Sequence, residues 1–310
     1  MKIVTLTLNP SLDKNTRVEL LQPGKKMRCE YPRFEAGGGG INVSRALNYL
    51  GKKSIAYYLA GEGEGHMIYE LLLEEGVEQF MIESSLRTRE NFMVTDKTTG
   101  DQYRFGMPGP KIPEPEWKKV EEKIKSIDPL PDFLVASGSL PPGVPEDFYA
   151  NLADYCKENG TKFIIDTSGS PLKLAADKGV YLLKPNLREF GQLLGKESVS
   201  AMEQEKYAFE LVKNQKCEIL VVSLGARGAM LTTSKGHEYI VPPTVKQRSA
   251  VGAGDSMVAG LLFGLSENRD VKHAVMYGVA AGTAATMTPG TQLCRKSDTE
   301  EIFKWLENRH

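Results

Sequence analysis

Residues 132–166 read DFLVASGSLPPGVPEDFYANLADYCKENGTKFIID, and the pattern in this stretch recurs along the chain. An apolar run at 132–136 precedes a segment of helical period at 146–159, and a second apolar run follows at 162–166. Short apolar runs that carry β-branched residues are typical of buried strands. A strand, a helix and a strand in this order predict two parallel strands joined by a crossover helix.

The same alternation continues on both sides of this stretch. At 41–50, for example, Val43 and Leu47 recur at helical spacing and predict one buried helix face. The whole pattern predicts an α/β protein with a mostly parallel central sheet and helices on both faces. The other predicted strands are 2–8, 54–60, 181–183 and 219–223, and the other predicted helices are 66–75, 116–127, 201–214 and 297–308.

The composition is that of an ordinary globular protein. The 310 residues are 41% hydrophobic and 25% charged, and 39 Lys and Arg residues against 40 Asp and Glu residues give a net charge of −1. A chain of this size buries roughly three quarters of its unfolded surface, so disorder is not expected. Nucleic acids and anionic membranes attract clustered Lys and Arg, and the near-neutral balance predicts neither as a partner.

The cysteines and the N-terminus indicate a cellular compartment. Four cysteines stand far apart with no Cys-x-x-Cys spacing, so we expect reduced thiols and neither disulfides nor a metal knuckle. The first residues predict a strand and not a signal peptide, and no run reaches the roughly 18 apolar residues of a membrane helix. A cytoplasmic location is therefore expected.

Two segments, at about 12–35 and 88–108, lack helical period. In the second, the runs 91–95 and 102–105 flank Lys-Thr-Thr-Gly-Asp, which is a hairpin signal. We expect these segments to form a small sheet outside the main one. Open α/β sheets bind ligands at the carboxyl ends of their strands, so a small sheet over that edge would act as a lid.

Residues 249–264, SAVGAGDSMVAGLLFG, place a Gly-Ala-Gly turn before an apolar helix. The amides of Gly252, Ala253 and Gly254 have no partner within such a helix and lie at the positive end of its dipole. This helix start predicts a site for a negatively charged group. Asp255 would then accept a proton from a hydroxyl beside that group. The alternative is a glycine turn in which Asp255 only caps the helix.

A second glycine cluster, AGGGGINV at 36–43, also precedes a predicted helix. An ordered glycine loses more backbone entropy than another residue, roughly 0.5–1 kcal/mol relative to Ala in regular elements, so four in a row require a reason. Close approach of the backbone to a ligand is one reason, and a flexible turn is the alternative.

Residues 184–189, KPNLRE, place Asn186 before a predicted helix and Glu189 three residues later. This spacing is that of a capping box variant, in which the two residues satisfy each other's backbone amides. It also suits a site for Mg²⁺ and nucleotide phosphates, reached through water because Mg²⁺ keeps much of its hydration shell. The two interpretations are compatible.

Two other features allow both a functional and a structural interpretation. The loop SLGARGA at 223–229 follows a predicted strand and is either a turn or a surface for a nucleotide. Arg89 and Arg104 lie on the expected lid, where a guanidinium can hold a sugar phosphate through paired hydrogen bonds. An isolated surface arginine is usually solvated.

Several enzyme classes are excluded by missing motifs. The chain has neither the GxxxxGK[ST] loop nor a strand-linked GxGxxG, and it lacks the catalytic loop of protein kinases. A Ser–His or Cys–His nucleophile and a histidine-bound metal are not expected, since no histidine stands beside a Ser or Cys elbow.

Together, GGGGINV at 37–43, KPNLRE at 184–189 and VGAGDS at 251–256 resemble the ribokinase-like PfkB family of sugar kinases, in the family's order. The resemblance covers essentially the whole chain. It implies a three-layer ribokinase-like fold in one domain over 1–310, with the small sheet as a lid. It also implies transfer of phosphate from MgATP to a sugar hydroxyl.

Within the family, TLTLNPSLD at 5–13 and SGSLPPGV at 137–144 are similar to the branch that phosphorylates the 1-hydroxyl of fructose 6-phosphate to fructose 1,6-bisphosphate. Related 1-phosphofructokinases and tagatose-6-phosphate kinases typically carry a lysine in the glycine cluster, and this chain has none at 38–40. Those two activities are the alternatives among enzymes. A sugar-phosphate-binding regulatory protein is the alternative outside enzymes.

The resemblance implies roles for particular residues. Asp255 is the base, and the amides of Gly252, Ala253 and Gly254 form the anion hole. The resemblance implies a homodimer in which the partner's lid supplies a lysine to the 6-phosphate, with Lys26 the best match and the adjacent Lys25 the alternative. It also implies activation by potassium, because residues 287–292 border the family's monovalent-cation loop. The implied substrate residues are Asp13, Lys26, Gly38, Gly39, Asn42, Arg89 and Ser139, the nucleotide residues are Lys184, Asn186, Ser223, Gly225 and Gly228, and Asn186 and Glu189 hold Mg²⁺ through water.

Overall fold

The computed structural model describes residues 1–309, and within them strands and helices alternate as the sequence predicts. The strands are β1 (Ile3–Thr7), β2 (Ser11–Val18), β3 (Arg33–Gly37), β4 (Ile55–Ala60), β5 (Glu78–Glu83), β6 (Arg89–Asp96), β7 (Gln102–Phe105), β8 (Phe133–Ser137), β9 (Lys162–Asp166), β10 (Val180–Leu183), β11 (Cys217–Ser223), β12 (Ala229–Thr233) and β13 (Gly236–Ile240). The helices are α1 (Gly39–Leu50), α2 (Glu62–Glu74), α3 (Glu114–Lys125), α4 (Phe148–Glu158), α5 (Gly169–Lys178), α6 (Leu187–Leu193), α7 (Ala201–Lys213), α8 (Ala253–Ser266), α9 (Val271–Thr286) and α10 (Lys296–Glu307).

The main sheet, over residues 1–309, has nine strands in the order β13-β12-β11-β10-β9-β8-β1-β4-β5. Neighbours from β11 to β5 are parallel, and β12 and β13 add an antiparallel edge. In the stretch 132–166, β8 and β9 pair in parallel with Val135 opposite Ile164, and α4 is the crossover. The predicted α/β class with a mostly parallel sheet is confirmed.

Helices cover both faces of the main sheet because successive strand residues point to opposite sides. Val135 and Ile164 belong to a core shared with α1, α8, α9 and α10. Leu134 and Phe163 belong to a second core shared with α3 to α7. The molecule therefore has the three layers that the family resemblance implies.

Helices α8 and α9 are largely buried and pack closely against each other. A Cβ on Gly260 would lie 2.7 Å from Ala281 Cβ, and one on Gly264 would lie 2.6 Å from Ala274 Cα, so these glycines allow the two backbones to approach closely. In the part of the chain that the structure describes, no helix combines the length and apolar character needed to cross a membrane.

A second, smaller sheet has the order β3-β2-β6-β7 and is called the small sheet below. Strands β6 and β7 pair antiparallel, which confirms the predicted hairpin, and β2 pairs in parallel with β6. The segment at 12–35 is regular only at its two ends, since residues 19–32 between β2 and β3 form neither strand nor helix.

The sequence prediction missed several elements. Strand β5 lies at an edge of the main sheet, β12 and β13 form a hairpin, and α5 is short. Helix α9 is buried on almost all sides from Ala274 to Ala285, so it lacks the polar face that gives an amphipathic period.

Candidate active site

The candidate active site lies at the carboxyl ends of the parallel strands. Asp166 ends β9, Lys184 directly follows β10, and Ser223 ends β11. Helices α1 and α8 begin at the same edge: α1 starts against the end of β8, and the first turn of α8 lies close to Lys184. Open α/β sheets bind ligands at this edge.

Helix α8 begins with unpaired amides. Gly252, the residue before the helix, has a φ of +71°, and a Cβ there would lie 2.6 Å from Leu293 Cδ2, so only glycine suits the position. Within residues 1–309, the amides of Gly252, Ala253 and Gly254 donate to no carbonyl or side chain. Three N–H groups at the positive end of a helix dipole can therefore bind an anion.

Asp255 lies in the first turn of α8 and contacts the second glycine-led helix. Asn42 Nδ2 on α1 donates to Asp255 Oδ2 over 2.9 Å. Burial raises the pKa of Asp255 to about 6, and the nearby Asp166 carboxylate adds to this effect, whereas Asn42 and Lys184 oppose it. At neutral pH the carboxylate is ionised, and it is a stronger base than an ordinary aspartate.

Lys184 and Asp166 form a buried ion pair beside Asp255. Lys184 Nζ lies 3.1 Å from Asp166 Oδ1, and the lysine side chain is 4% exposed. Burial disfavours the charged form of Lys184, but Asp166, Glu189 and Asp255 outweigh it, so the pKa of Lys184 is raised and the ammonium persists. Sequence reasoning identified Lys184 and missed Asp166. The available signal was a carboxylate at the end of a predicted strand.

The glycine cluster at the start of α1 is packed tightly and is not a flexible turn. Gly38 has a φ of +118°, and a Cβ there would lie 2.7 Å from Thr7 Cγ2. A Cβ on Gly39 would lie 2.7 Å from the Ser137 carbonyl carbon, and one on Gly40 would lie 2.6 Å from Thr7 Oγ1. The glycines bring the backbone against the ends of β1 and β8.

Asp13 lies on β2 of the small sheet with one carboxylate oxygen already bound. Ser11 Oγ donates to Asp13 Oδ1 over 2.7 Å and Asn91 Nδ2 donates to it over 2.9 Å. A side chain at Gly37 would collide with this carboxylate. Burial raises the pKa of Asp13, with the two hydrogen bonds opposing, and its charge is felt at Asp255. Within this arrangement Oδ2 is left for a ligand hydroxyl.

Arg89 is held mainly by backbone carbonyls. Its Nη2 donates to Asn9 O over 3.0 Å, its Nε to Pro10 O over 3.3 Å and its Nη1 to Met107 O over 3.0 Å. A longer contact of 3.5 Å joins Nη1 to Asn91 Oδ1. Of the five N–H groups, one is left among the described contacts, so Arg89 as placed offers a phosphate its charge and a single hydrogen bond. The paired hydrogen bonds to a phosphate that the sequence predicts would require Arg89 to release at least one of these contacts.

Ser139 and Lys26 have no direct contact with Asp255. Asn9 Nδ2 donates to Ser139 Oγ over 3.1 Å, which places Ser139 beside the segment that holds Arg89. Lys26 is exposed on the loop between β2 and β3, and its side chain has no hydrogen bond or ion pair within residues 1–309. The structure thus gathers Asp13, Gly38, Gly39, Asn42 and Asp255 but leaves Lys26 outside this group.

Asn186 and Glu189 form the capping box at the start of α6. Asn186 Oδ1 accepts from the Glu189 amide and Glu189 Oε2 accepts from the Asn186 amide, each over 2.9 Å. This interpretation is confirmed. Glu189 Oε1 is not used by the box, and the charge of Glu189 acts on Lys184.

The loop after β11 is a tight turn beside this helix start. Ser223 bonds through its amide to Pro185 O over 2.9 Å and forms an isolated bridge with Asn186. Gly225 is exposed with a φ of +64°, and Gly228 has a φ of +84° with Ile240 O against its Cα. The loop is therefore a turn between β11 and β12, and it lies next to the predicted nucleotide residues.

The donor set fits Mg²⁺ through water only. Residues 1–309 contain no group of three or more His, Cys, Asp or Glu side chains that would hold a metal directly. A bound Mg²⁺ would therefore take its ligands from phosphate oxygens and water, with Glu189 Oε1 and Asn186 as hydrogen-bond partners of those waters. When bound, the ion neutralises phosphate charge.

Comparisons with known proteins agree with this geometry. Residues 7–298 match the pfkB family carbohydrate kinases. ATP-dependent 6-phosphofructokinase isozyme 2 of Escherichia coli is 41% identical over 307 residues, which is 99% of each chain. A 1-phosphofructokinase of Bacillus subtilis is 35% identical over 304 residues, covering 98% of this chain and 97% of that protein.

Among solved structures, phosphofructokinase-2 from Escherichia coli in complex with potassium matches with a TM-score of 0.95 at 41% identity. The match covers 99% of both chains. The similarity therefore extends through the main sheet, the small sheet and the site between them.

Proposed function

The chain belongs to the pfkB family of carbohydrate kinases, and on that premise we propose that it is an ATP-dependent 6-phosphofructokinase. It is a phosphotransferase with an alcohol as acceptor. In the proposed reaction the 1-hydroxyl oxygen of fructose 6-phosphate attacks the γ-phosphorus of ATP. The bond to the β-γ bridging oxygen breaks, and the products are fructose 1,6-bisphosphate and ADP.

One observation supports this proposal most: a carboxylate of raised pKa stands beside three unpaired amides. Asp255 takes the proton of the attacking hydroxyl, and its pKa of about 6 keeps it ionised and basic at neutral pH. The amides of Gly252, Ala253 and Gly254 stabilise the charge on the phosphoryl oxygens during transfer. A binding protein has no need of a base beside an anion hole.

The sugar side of the cleft is assigned to Asp13, Gly38, Gly39, Asn42 and Ser139. Asp13 Oδ2 and the backbone of the packed glycines bind sugar hydroxyls, since Asn42 on α1 contacts Asp255 and the charge of Asp13 acts on it. Arg89 provides positive charge for the 6-phosphate. The two carboxylates, Asp13 and Asp255, orient the sugar from the small sheet and from α8.

The nucleotide is assigned to the edge formed by α6 and the turn after β11. Lys184, held charged by Asp166, lies between this edge and the anion hole and is placed for the phosphates of ATP. The backbone around Asn186, Ser223, Gly225 and Gly228 provides the surface for the remainder, with Asn186 and Glu189 on the waters of Mg²⁺. Potassium near 287–292 is part of the proposal, as a relative was crystallised with that ion.

We assign the chain to one kinase domain in which the small sheet is the lid of the cleft. The lid carries large exposed apolar side chains, with Tyr31 93%, Phe105 47% and Met107 48% exposed. An apolar surface of this kind suits a homodimer formed through two lids. In such a dimer the partner subunit's Lys26 would reach the 6-phosphate.

A panel of four acceptors tests the substrate. ADP release is measured with fructose 6-phosphate, tagatose 6-phosphate, fructose 1-phosphate and fructose at the same ATP concentration. We expect the highest kcat/KM for fructose 6-phosphate. A higher value for fructose 1-phosphate or tagatose 6-phosphate assigns the chain to the activity that some relatives carry. Binding of sugar phosphate and ATP without ADP release with any acceptor identifies a regulatory protein.

A further inference from the structure

A buried arginine next to the site takes no part in the chemistry described so far. Arg45 lies on α1, three residues after Asn42, and its side chain is 4% exposed. Residues three apart on a helix share a face. Burial of this charge could not be predicted from the sequence, because the pattern at 41–50 predicts a helix with an apolar buried face.

The Arg45 guanidinium is fixed by charge-assisted bonds on three sides. Its Nε and Nη2 donate to Glu75 Oε2 and Oε1 over 2.8 and 2.6 Å, and its Nη1 donates to Ala36 O over 2.8 Å. Tyr49 OH also donates to Glu75 Oε2 over 2.8 Å. Burial opposes the charge of Arg45, but the Glu75 carboxylate outweighs it, so the guanidinium is permanently charged. Paired bonds of this type set direction as well as energy.

The same guanidinium controls which way the Asn42 amide faces. Arg45 Nη1 lies 3.5 Å from Asn42 Oδ1, and Asn42 Nδ2 donates to Asp255 Oδ2 over 2.9 Å. The opposite orientation would set the NH₂ group against the guanidinium and Oδ1 against the carboxylate. Both of those contacts are repulsive, so a cation at this point selects the orientation in which Asn42 donates to Asp255.

We propose that Arg45 is a positioning residue for phosphoryl transfer: it orients Asn42 toward the catalytic base and ties α1 to the end of β3 through Ala36. The proposal rests on the proposed function in one respect, the role of Asp255 as the base. Through Ala36, Arg45 also fixes the point where the small sheet joins the glycine cluster. Through Glu75, it fixes both to the end of α2.

The structure shows which charged groups surround Asp255 and Arg45, the two residues that Asn42 connects. Asp255 faces Asp166 on β9, Lys184 after β10 and Asp13 on β2, in addition to Asn42. Arg45 faces Glu75 after α2, Glu35 on β3 and Tyr49 on α1, and Asp13 feels its charge. Loss of the Arg45 charge raises the pKa of Asp13 and of Glu35. A less ionised Asp13 would lower the pKa of Asp255, so a rise in the pKa of Asp255 reports on Asn42.

The first experiment measures the pKa of Asp255 by carboxyl ¹³C NMR, with Asp255→Asn to assign the signal. It needs no substrate, so its result does not depend on the proposed function. Loss of a hydrogen bond to a charged group changes a pKa by about one unit. We expect Arg45→Met to raise the pKa of Asp255 by about that much. Arg45→Lys keeps the positive charge but loses the paired N–H donors of the guanidinium, and it should raise the pKa of Asp255 by less.

Tyr49→Phe is the matched control, because it removes the two hydrogen bonds of the Tyr49 hydroxyl, to Glu75 and from Arg45 Nη2, and leaves the contacts of Arg45 with Ala36 and Asn42 intact. We expect the pKa of Asp255 to be unchanged in this variant even if thermal stability falls. A pKa that is equal in wild type, Arg45→Lys and Arg45→Met would overturn the proposal and leave Arg45 a purely structural residue. If Arg45→Met does not fold, an unchanged pKa in Arg45→Lys overturns it alone.

The second experiment measures the pH dependence of kcat/KM for fructose 6-phosphate and follows the acidic limb of that profile. In Arg45→Met the limb moves to higher pH by about one unit and kcat falls roughly tenfold, while KM for ATP is unchanged. A fall in stability with the wild-type limb and kcat contradicts the proposal. If the wild type does not phosphorylate fructose 6-phosphate, the proposed function fails, and the NMR titration still decides the role of Arg45.

Discussion

The two helices that begin with glycine runs, α1 and α8, use glycine for different physical reasons. At α1 the three glycines at 38–40 lie against β1 and β8, and a Cβ at any of them would lie within 3 Å of a side-chain or backbone atom of these strands. The Ile41 amide is also occupied, because it donates to Thr7 Oγ1 over 2.9 Å. Glycine at α1 is a packing requirement.

At α8 the need for glycine is confined to its first position. Gly252 requires its left-handed backbone, whereas a Cβ on Gly254 would lie 3.7 Å from Lys184 Nζ, an ordinary contact. The amides of this helix start are open and face a charged cleft. The comparison teaches that a glycine cluster in a sequence does not by itself locate an anion site. The support for an anion site at α8 is that its unpaired amides lie beside the Lys184 ammonium.

The largest effect is expected at the carboxylate of α8. Asp255→Asn removes the base and keeps the shape, so kcat falls by about 10²–10⁴ while the protein remains folded. A coupled ADP-release assay and circular dichroism measure the two properties. Asp298→Asn is the matched control, since Asp298 occupies the first turn of α10 and is not part of the cleft. Equal activity of Asp255→Asn and wild type would remove Asp255 from the mechanism.

Alanine substitutions compare the glycines of the two helices directly. Gly39→Ala places a methyl against the carbonyl carbon of Ser137, so the free energy of unfolding should fall by about 3 kcal/mol. Gly254→Ala should change it by less than about 1 kcal/mol, in the stabilising direction, because Ala favours a helix. Urea denaturation measures both.

Gly63→Ala serves as the control for these substitutions, since Gly63 lies in α2 with open space around it. It should behave as Gly254→Ala does. A similar loss of stability at Gly39 and Gly254 would contradict the distinction between a packed and an open helix start.

The charge of Asp255 should also cost stability at neutral pH. Its pKa rises from 3.8 in the unfolded chain to about 6, so the folded protein binds the proton more tightly. Stability from this group is therefore greatest below pH 4, falls as the pH rises between 4 and 6, and is lost above 6. Asp255→Asn should be more stable than wild type at pH 8 by about 1–3 kcal/mol.

Thermal unfolding of Asp255→Asn and wild type at pH 4 and pH 8 measures this difference. The higher stability of Asp255→Asn should be present at pH 8 and nearly absent at pH 4. A variant that is less stable than wild type at pH 8 shows that the anion hole, Lys184 and Asn42 compensate the carboxylate fully.

The smallest expected effect on stability comes from substitutions at the start of a third helix. Helix α6 satisfies its amides with the Asn186–Glu189 capping box, as α7 does with Ser200 and Glu203. Asn186→Ala and Ser200→Ala should each lower the free energy of unfolding by about 1 kcal/mol. Only Asn186→Ala should raise KM for MgATP. If the two variants have the same KM, Asn186 is a cap without a nucleotide role.

The sequence was sufficient for the fold where local patterns carry the information. Strands that are buried on both faces, such as β8 and β9, are continuous apolar runs, and the amphipathic helices show their period. The prediction missed helix α9 because burial on all sides removes the amphipathic period. It missed β5 because an edge strand has a weak hydrophobic pattern. Those elements are defined by neighbours distant in sequence.

The candidate site was predicted as far as motifs mark it. Asp255, Asn42 and the two glycine clusters stand in recognisable segments, and the structure joins Asn42 to Asp255. Asp166 and Arg45 stand in ordinary strand and helix patterns, and their roles come from partners that only the fold brings close. The hydrogen bonds of Arg89 could not be predicted from the sequence either, because they go to backbone carbonyls of residues 9, 10 and 107.

A crystal structure with ADP, aluminium fluoride and fructose 6-phosphate tests the central claim most directly, because the fluoride complex imitates the phosphoryl group in transfer. We expect the fluoride within about 3 Å of the amides of Gly252, Ala253 and Gly254. The Asp255 carboxylate should lie at hydrogen-bond distance from the sugar 1-oxygen. A fluoride complex bound away from α8, or a sugar oxygen out of reach of Asp255, would contradict it.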